Sequence, residues 1–425
     1  MKHIVEEVKL KTGASGLLID VPSASVMNIR IGFRAGNQFA RSQEVYEVAH
    51  IMEHMAFGEN SQFSDEQAYE AEFTKNGAYH NAWTSDQFIV YEAECADFEW
   101  ERILNLAELA AATPRFNEAE LKSEKGNVRS ELTGYQNEYS RLLWPKLQQA
   151  MGEPVLTYAE RLKTISNIRL DDVKAHHRKT HTAKNMQFII VGNLKGRKAK
   201  IIRMLEAWQL KEGKQLQLQP TTYQSCGPIL IHRKDAANLS FAFCFEISRR
   251  LGLVEQYALG CLNHILTGTM NSKIFGRARK QGIVYDISST AGYDAYSSGW
   301  CFMGEVNAEN AFELFDLIAI EFAKVINGDF AKKDIEAAKT YALGRHQMLA
   351  QTADQISDYY ARDYLSASSY EDMQDAPAMI AQIEKSTIVR LAREFFEQGE
   401  SGFAVVGNVY KAVINELWQK IIDTI

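Results

Sequence analysis

The sequence predicts an α+β protein made of two duplicated α/β sandwich domains, each with a mostly antiparallel sheet packed against helices on one side. Three observations predict this class. The chain has 425 residues, which is too long for one hydrophobic core. Apolar patterns with strand and helix periodicity follow one another along the whole chain. Finally, one segment in the first half of the chain recurs near its end.

The recurring segment is a helical stretch followed by a strand that ends in Gly-Asn. Residues 168–193 align without a gap with residues 383–408, an offset of 215 residues (383 minus 168). Similarly, the strand at 29–33 parallels the one at 240–245. Such internal self-similarity indicates repeated structural units. We therefore predict an α+β domain at 1–210, a polar linker at 211–225, and a homologous α+β domain at 226–425.

The elements of the first domain follow from periodicity and from turn residues. Strands are expected at 15–20 and 26–33, where aliphatic residues dominate between polar or glycine positions. Residues 45–55 contain no Pro or Gly and repeat apolar residues at helical spacing, which predicts a helix. The later predictions are a helix at 65–75, a strand at 87–93, helical structure over 100–151, a helix after 168 and a strand at 187–193.

Composition excludes several classes of protein. The net charge of −7 argues against nucleic acid as a partner. No stretch reaches 18 apolar residues and the first residues lack an apolar run, so we expect a cytoplasmic protein without a membrane partner. The five cysteines are scattered and form no C-x-x-C pair, which favours reduced thiols over a disulfide framework.

The helix at 45–55 carries a metal-binding pattern. At 100° per residue, His50 and His54 lie about 40° apart around its axis, and Glu53 lies about 60° to the other side of His50. Two imidazoles one turn apart can bind a single Zn²⁺, with the carboxylate within reach of the attacking water. H-x-x-E-H is the pattern of inverted zincins, although two His and one Glu also occur this way by chance.

A catalytic zinc also needs a third protein ligand. Glu124 and Glu131 are seven residues apart in a charged helical stretch, which places them about 20° from alignment on one helical face. By itself this pattern equally fits an exposed, solvated helix. His176, His177 and His181 are a weaker candidate cluster, because the second copy of the repeat has Leu, Ala and Phe at these positions.

Together these segments resemble the pitrilysin family of inverted zincins (inverzincins), which includes insulinase and the mitochondrial processing peptidase. The resemblance covers nearly the whole chain. It is carried by residues 49–58 (AHIMEHMAFG), Gly77 with residues 81–84, Glu124 with Glu131, residues 268–275 and residues 282–285.

The resemblance implies one zinc per chain, with His50, His54 and Glu131 as ligands. The family's third ligand is a Glu about 77 residues after the second His, which is Glu131 here (131 minus 54). The carboxylate seven residues earlier, Glu124, would then hydrogen bond a ligand imidazole. Glu53 would be the general base that takes a proton from the attacking water.

The resemblance also implies residues that hold the substrate. Asn81 and Ala82 match the family's edge strand, to which an extended peptide adds as a further strand. Tyr285 matches a family tyrosine that contacts the substrate backbone together with an arginine. The family spacing places that arginine at Ala278, between Arg277 and Arg279, and a deletion of one residue would give the role to Arg279.

We therefore expect a zinc metalloendopeptidase that hydrolyses peptides or unfolded polypeptide segments in an enclosed cleft. Family members of this length pair two chains, which predicts a homodimer in which Tyr285 acts on the site of its partner. One alternative is a non-catalytic subunit that binds peptides or has a structural role. Another is the catalytic half of a heterodimer, in which a different chain supplies the arginine and the tyrosine.

Overall fold

A computed structural model describes all residues from Met1 to Ile425, and the chain forms two compact units. The first contains Met1–Thr133, Ala159–Gln219 and Gln347–Asp372, and the second contains Gly134–Tyr158, Pro220–His346 and Met373–Ile425. Each unit is therefore assembled from separate stretches of sequence. The predicted domain limits, 1–210 and 226–425, refer to the sequence duplication. The division into compact units does not test a duplication, so these limits stay a prediction.

Strands and helices alternate along the chain. The strands are β1 Ile4–Lys9, β2 Ser15–Asp20, β3 Val26–Phe33, β4 Tyr79–Thr84, β5 Ile89–Ala96, β6 Met186–Gly192, β7 Ile229–His232, β8 Leu239–Ile247, β9 Val284–Tyr293, β10 Ser298–Val306 and β11 Glu400–Gly407. The helices are α1 Val48–Met55, α2 Glu66–Thr74, α3 Trp100–Ala112, α4 Glu118–Gln136, α5 Tyr139–Ala150, α6 Tyr158–Thr164, α7 Leu170–Thr180, α8 Lys198–Ala207, α9 Leu253–Leu266, α10 Phe275–Lys280, α11 Ala311–Ile326, α12 Lys332–Met348, α13 Ala353–Ala367, α14 Ala376–Ala381, α15 Lys385–Arg393 and α16 Lys411–Ile422.

The sheet of the first unit has six strands in the order β1-β2-β6-β3-β5-β4. All neighbours are antiparallel except β2 and β6. Phe33 stacks on His181 just after α7, and Gly32 faces Leu365 of α13. Because successive side chains of a strand point to opposite faces, α7 and α13 cover opposite faces of this sheet.

The second unit repeats this arrangement with five strands in the order β7-β11-β8-β10-β9. Phe241, Phe243 and Phe245 of β8 lie in its main core, which includes residues of α9, α11 and α16. Ala242 and Cys244 instead pack with Leu143 and Leu147 of α5, residues absent from that core. The expectation of helices on one side of each sheet is therefore wrong. The central strands are buried on both faces, and each second face is covered by a helix distant in sequence.

The duplicated α/β architecture with mostly antiparallel sheets is confirmed. Residues 168–193 contain α7 and β6, and residues 383–408 contain α15 and β11. Two local predictions differ from the structure. The helical stretch over 100–151 consists of three helices, and the helix expected at 45–55 begins at Val48 after a short 3₁₀ turn at Gln43–Val45. Neither difference moves the two histidines of α1 off their common turn.

Two cysteines correct the expectation that all thiols are reduced. Cys244 of β8 and Cys301 of β10 stand opposite each other in the ladder and form a disulfide. They are 57 residues apart in sequence, so only the pairing of the two strands brings them together. The other three cysteines are free. No helix combines the length and the apolar composition that crossing a membrane requires.

Candidate metal centre

Helix α1 presents its polar residues because its apolar residues are fixed in the core. Val48, Ile51, Met52 and Met55 are buried, which holds the helix in one rotational orientation. His50 and His54 are partly exposed, and their rings meet edge to face with centroids 4.8 Å apart. The i, i+4 spacing that the sequence shows is thus realised as neighbouring rings on one helical turn.

Glu131 of α4 reaches the same place. Its Oε2 lies 3.4 Å from Nε2 of His50 and 3.8 Å from Nε2 of His54. Ligand atoms bound tetrahedrally to one Zn²⁺ at about 2.0–2.2 Å stand roughly 3.3–3.5 Å apart. One carboxylate oxygen thus approaches two imidazole nitrogens at close to this spacing, and the residues present fit the metal that the sequence implies.

The far nitrogen of each imidazole is held by a carboxylate. Nδ1 of His50 donates to Oε2 of Glu47 at 3.1 Å, and Nδ1 of His54 donates to Oε2 of Glu124 at 3.0 Å. A proton on Nδ1 leaves the lone pair of Nε2 free to bind a metal. The predicted place of Glu124 beside a histidine thus agrees with the geometry, and the same device is present at both rings.

Glu47 and Arg161 are the residues that sequence reasoning missed. Glu47 is 0% exposed, and Arg161 donates to it from Nε at 2.5 Å and from Nη2 at 2.9 Å. Burial raises the pKa of the Glu47 carboxyl, but hydrogen bonds from His50 and Arg161 outweigh burial, and the pKa falls below its ordinary value. Glu47 precedes His50 by three residues, a helical spacing that could have found it. Arg161 has no such local signal.

Glu53 lies beside this group with a different environment. Its side chain is buried, and Oε2 accepts a hydrogen bond from Thr84 Oγ1 of β4 at 3.2 Å. Its ligand atom and those of His50 and His54 lie within 4.8 Å of one another. Burial raises the pKa of the Glu53 carboxyl despite the opposing effect of the two imidazoles. A carboxylate whose pKa is raised is a stronger base, which suits a group that accepts a proton and returns it.

Comparison with known proteins identifies the family. Residues 17–155 match the sequence profile described as Insulinase (Peptidase family M16), and residues 167–341 match the one described as Peptidase M16 inactive domain. The chain belongs to peptidase family M16. The peptidase profile covers the segment that carries H-x-x-E-H, whereas the profile named inactive begins after that motif and extends into the second half of the chain.

Individual relatives are distant. An uncharacterized zinc protease of Bacillus subtilis, YmxG, is 20% identical over 405 residues, which cover 93% of this chain and 96% of that protein. The human mitochondrial-processing peptidase subunit beta is 25% identical over 183 residues, or 41% of this chain and 37% of that protein. A protease from Helicobacter pylori has the same fold, with a TM-score of 0.82 at 17% identity, covering 95% of this chain and 100% of that one. The protein is thus related to zinc metallopeptidases.

Asn81 and Ala82, which are predicted to bind substrate, lie in β4, the edge strand of its sheet. β4 pairs with β5 along one side. Asn81 is exposed and Ala82 is buried, which agrees with alternation along a strand. Thr84, two residues after Ala82, points toward Glu53, so the face of β4 that carries Thr84 is the one next to the proposed base.

The second unit places Arg279 next to Tyr285. The guanidinium carbon of Arg279 lies 4.3 Å from the centroid of the Tyr285 ring, and Tyr285 is 80% exposed. Ala278, at the arginine position of the M16 spacing, is fully buried in helix α10. Of the two flanking residues, Arg279 is the one whose guanidinium stacks on the tyrosine, and its role toward the substrate stays a prediction.

The histidine cluster at the end of α7 lies outside the metal centre. His176 and His177 hydrogen bond the carbonyl oxygens of Ala35 and Ala111, and His181 hydrogen bonds the hydroxyl of Tyr91. Burial lowers the pKa of His176 and His177 to about 4. The cluster of side chains close enough to hold a metal ion contains His50, Glu53 and His54 and none of these three histidines. The three histidines thus join neighbouring elements of the first unit through buried hydrogen bonds.

Proposed function

We propose that this protein is a zinc-dependent endopeptidase that hydrolyses peptides or unfolded polypeptide segments held in an enclosed cleft. The observation that supports it most directly is the approach of Glu131 to the Nε2 atoms of His50 and His54, at 3.4 and 3.8 Å. Membership of M16 supports the same reaction class. The proposed stoichiometry is one zinc ion per chain.

The residues then have distinct roles. His50, His54 and Glu131 would hold the zinc, which when bound supplies a Lewis acid that activates water and polarises the scissile carbonyl. Glu53 takes a proton from the attacking water and delivers it to the leaving amine. Its burial and the Thr84 hydrogen bond keep this carboxyl oriented while it changes protonation.

Two groups of residues would position the substrate. The free edge of β4 around Asn81 and Ala82 offers main-chain hydrogen bonds to an extended peptide, which fixes its backbone independently of its sequence. Arg279 and Tyr285 would contact the substrate backbone. Their stacked arrangement leaves the tyrosine exposed and its hydroxyl available as a donor.

Zinc content and cleavage together test this proposal. Elemental analysis of the purified protein should find one zinc per chain, and a quenched peptide library should be cleaved until a chelator is added. Glu131→Gln should lower both. Glu118→Gln, on an exposed position of the same helix α4, should change neither. Zinc without cleavage would support the non-catalytic or heterodimeric alternative, and absence of zinc would refute the metal centre.

We also propose a homodimer in which Tyr285 acts on the partner's metal centre. The basis is the resemblance to family members of this length. Mixing a Glu53→Gln chain with a Tyr285→Phe chain gives dimers with one intact combination of base and tyrosine. Recovery of activity in the mixture supports action between chains, whereas no recovery at any ratio contradicts it. Gel filtration distinguishes a homodimer from a chain that awaits a different partner.

A further inference from the structure

A polar pocket of about 700 Å³ lies on the face of the first sheet that α13 covers. Its walls are β3, β4, β5 and α13. Trp83 lines it, whereas the next residue, Thr84, points to Glu53. Since neighbouring residues of a strand face opposite sides of the sheet, this pocket is on the side away from the metal centre, and none of the proposed catalytic residues lines it.

Strand register brings its acidic residues together. Asn28 of β3 is paired with Glu94 of β5, and Glu94 is paired with Tyr79 of β4. One step along the same face, Arg30 is paired with Glu92. All these side chains therefore lie in two adjacent rows on one face. Helix α13 adds two further carboxylates from above, at positions 354 and 358.

Negative charge in the pocket exceeds positive charge. Arg30 is its one cationic residue, and it pairs with Asp354 at 2.9 Å, with Asp358, and with Glu92 at 3.6 Å. Three carboxylates thus pair with one guanidinium, and Glu94 is a fourth carboxylate in the pocket. Burial, together with the charge of Asp354, raises the pKa of the carboxyls of Glu92 and Glu94. A second cation would relieve this repulsion.

A buried acceptor in the pocket lacks a donor. Asn28 is 2% exposed, and its Nδ2 donates to Oδ1 of Asp354 at 3.0 Å. A carboxylate only accepts hydrogen bonds, so this contact identifies which end of the amide is the NH₂ group. Oδ1 of Asn28 then has no hydrogen-bond partner. An acceptor buried without a partner costs about 1–3 kcal/mol, and because Asn28 lines the pocket, a ligand N–H group that reached its Oδ1 would remove this cost.

Aromatic side chains form the outer wall. Tyr79 is 58% exposed and Trp83 is 38% exposed, and both line the pocket. Aromatic faces next to carboxylates favour organic cations, whose alkyl part packs on the ring while the charge meets the carboxylates. A divalent metal fits less well, because Arg30 already occupies the position among the carboxylates and these carboxylates do not converge as a metal-binding group.

We propose that this pocket binds an organic cation with an alkylammonium or guanidinium group. Two sources have this chemistry. One is a free polyamine. The other, which rests on the proposed function, is a Lys or Arg side chain of a peptide paired to the edge of β4. Such a peptide strand would lie two strand spacings, about 10 Å, from β5. A long basic side chain of the peptide and the Glu94 side chain of β5 could together span this distance.

Calorimetry on the zinc-loaded, full-length Glu53→Gln protein separates these sources, because this background does not consume peptide. The probes are spermidine, calcium chloride, and two extended peptides that differ only in one central Arg or citrulline. Each is measured with Glu94→Gln, with Asp358→Asn, and with Glu309→Gln, which removes an exposed carboxylate in the other unit. Thermal melting checks that every variant is folded.

In Glu94→Gln we expect a fall of about tenfold, equivalent to 1.4 kcal/mol, either in the affinity for spermidine or in the preference for the Arg peptide over the citrulline peptide. The same quantity should also fall in Asp358→Asn. Glu309→Gln should retain both. Loss for spermidine assigns a free amine, and loss for the Arg peptide alone assigns a substrate side chain. Equal affinities in all variants, or calcium binding that depends on Glu94, would overturn the proposal. If the peptide library is cleaved but neither spermidine nor the Arg peptide binds in a way that depends on Glu94, only the cation pocket is refuted. If spermidine binds in this way but no peptide is cleaved, only the proposed peptidase activity is refuted.

Discussion

Replacing Glu47 by Gln tests whether the buried Arg161–Glu47–His50 chain orients the metal ligand. Gln keeps the shape of Glu47 but removes its charge, in a place with 0% exposure. Gln offers one acceptor oxygen in place of two, so its NH₂ group must face an N–H of either His50 or Arg161, and the charge that holds the proton on Nδ1 of His50 is lost. Removing the partner that orients a ligand histidine lowers metal affinity by about 10- to 100-fold, and we expect a loss in this range.

The same substitution should destabilise the zinc-free protein. Breaking a fully buried ion pair costs about 3–5 kcal/mol. Because the Arg161 side chain is 19% exposed and can partly rehydrate, we expect a smaller loss of unfolding free energy, about 2–3 kcal/mol. Zinc affinity is measured by competition with a fluorescent chelator, and stability by urea unfolding with zinc removed.

Two variants keep this experiment interpretable. Glu44→Gln removes an exposed carboxylate in the turn before α1 and should leave both measurements unchanged. In Glu47→Gln/Arg161→Met the arginine is no longer left unpaired, so the double variant should be more stable than the sum of the single losses predicts. A zinc affinity within twofold of the wild type in Glu47→Gln would refute the orienting role, whatever the change in stability.

Three further predictions follow from buried contacts. Thr84→Val removes the hydrogen bond that lowers the pKa of Glu53, so kcat/KM for peptide cleavage should fall about tenfold and the acidic limb of its pH profile should move to higher pH. The free energy of unfolding, measured with urea from pH 8 to pH 4, should decline below pH 6.5. Below that pH the imidazoles of the unfolded chain bind protons, whereas His176 and His177 of the folded protein stay neutral down to about pH 4. Each contributes at most about 1.4 kcal/mol per pH unit. Phe243→Ala should lower the unfolding free energy by about 3–5 kcal/mol, since the ring is fully buried among aromatic neighbours.

Each of these has a result that contradicts it. A pH profile unchanged in Thr84→Val would mean that the hydroxyl does not control the base. His176→Gln should flatten the acidic decline, and an identical decline in that variant would assign it to other groups. For the core prediction, Phe98→Ala is the matched control, because that ring is 77% exposed, and equal losses in the two variants would contradict the packing argument.

Local sequence patterns predicted the elements of the fold better than their arrangement. The duplication was visible because strand and helix residues recur with the same spacing in both halves. The packing of α13 and α5 on the second faces of the sheets was not visible. Neither helix lies next in sequence to the strands that it covers, and apolar strands buried on both faces look the same whichever helix covers them. For the same reason, the disulfide between Cys244 and Cys301 depended on strand register.

The sequence by itself determined the α1 arrangement of His50, Glu53 and His54, because helical periodicity places residues three and four apart on one turn. With the family resemblance it also singled out Glu131 and Glu124. Only the tertiary structure decided that Glu131 approaches both imidazoles, that Arg161 supports Glu47, and that Asn28 and Arg30 share a pocket with the acidic residues of α13. These contacts join residues distant along the chain, and they form only when packing of the whole unit brings separate elements together.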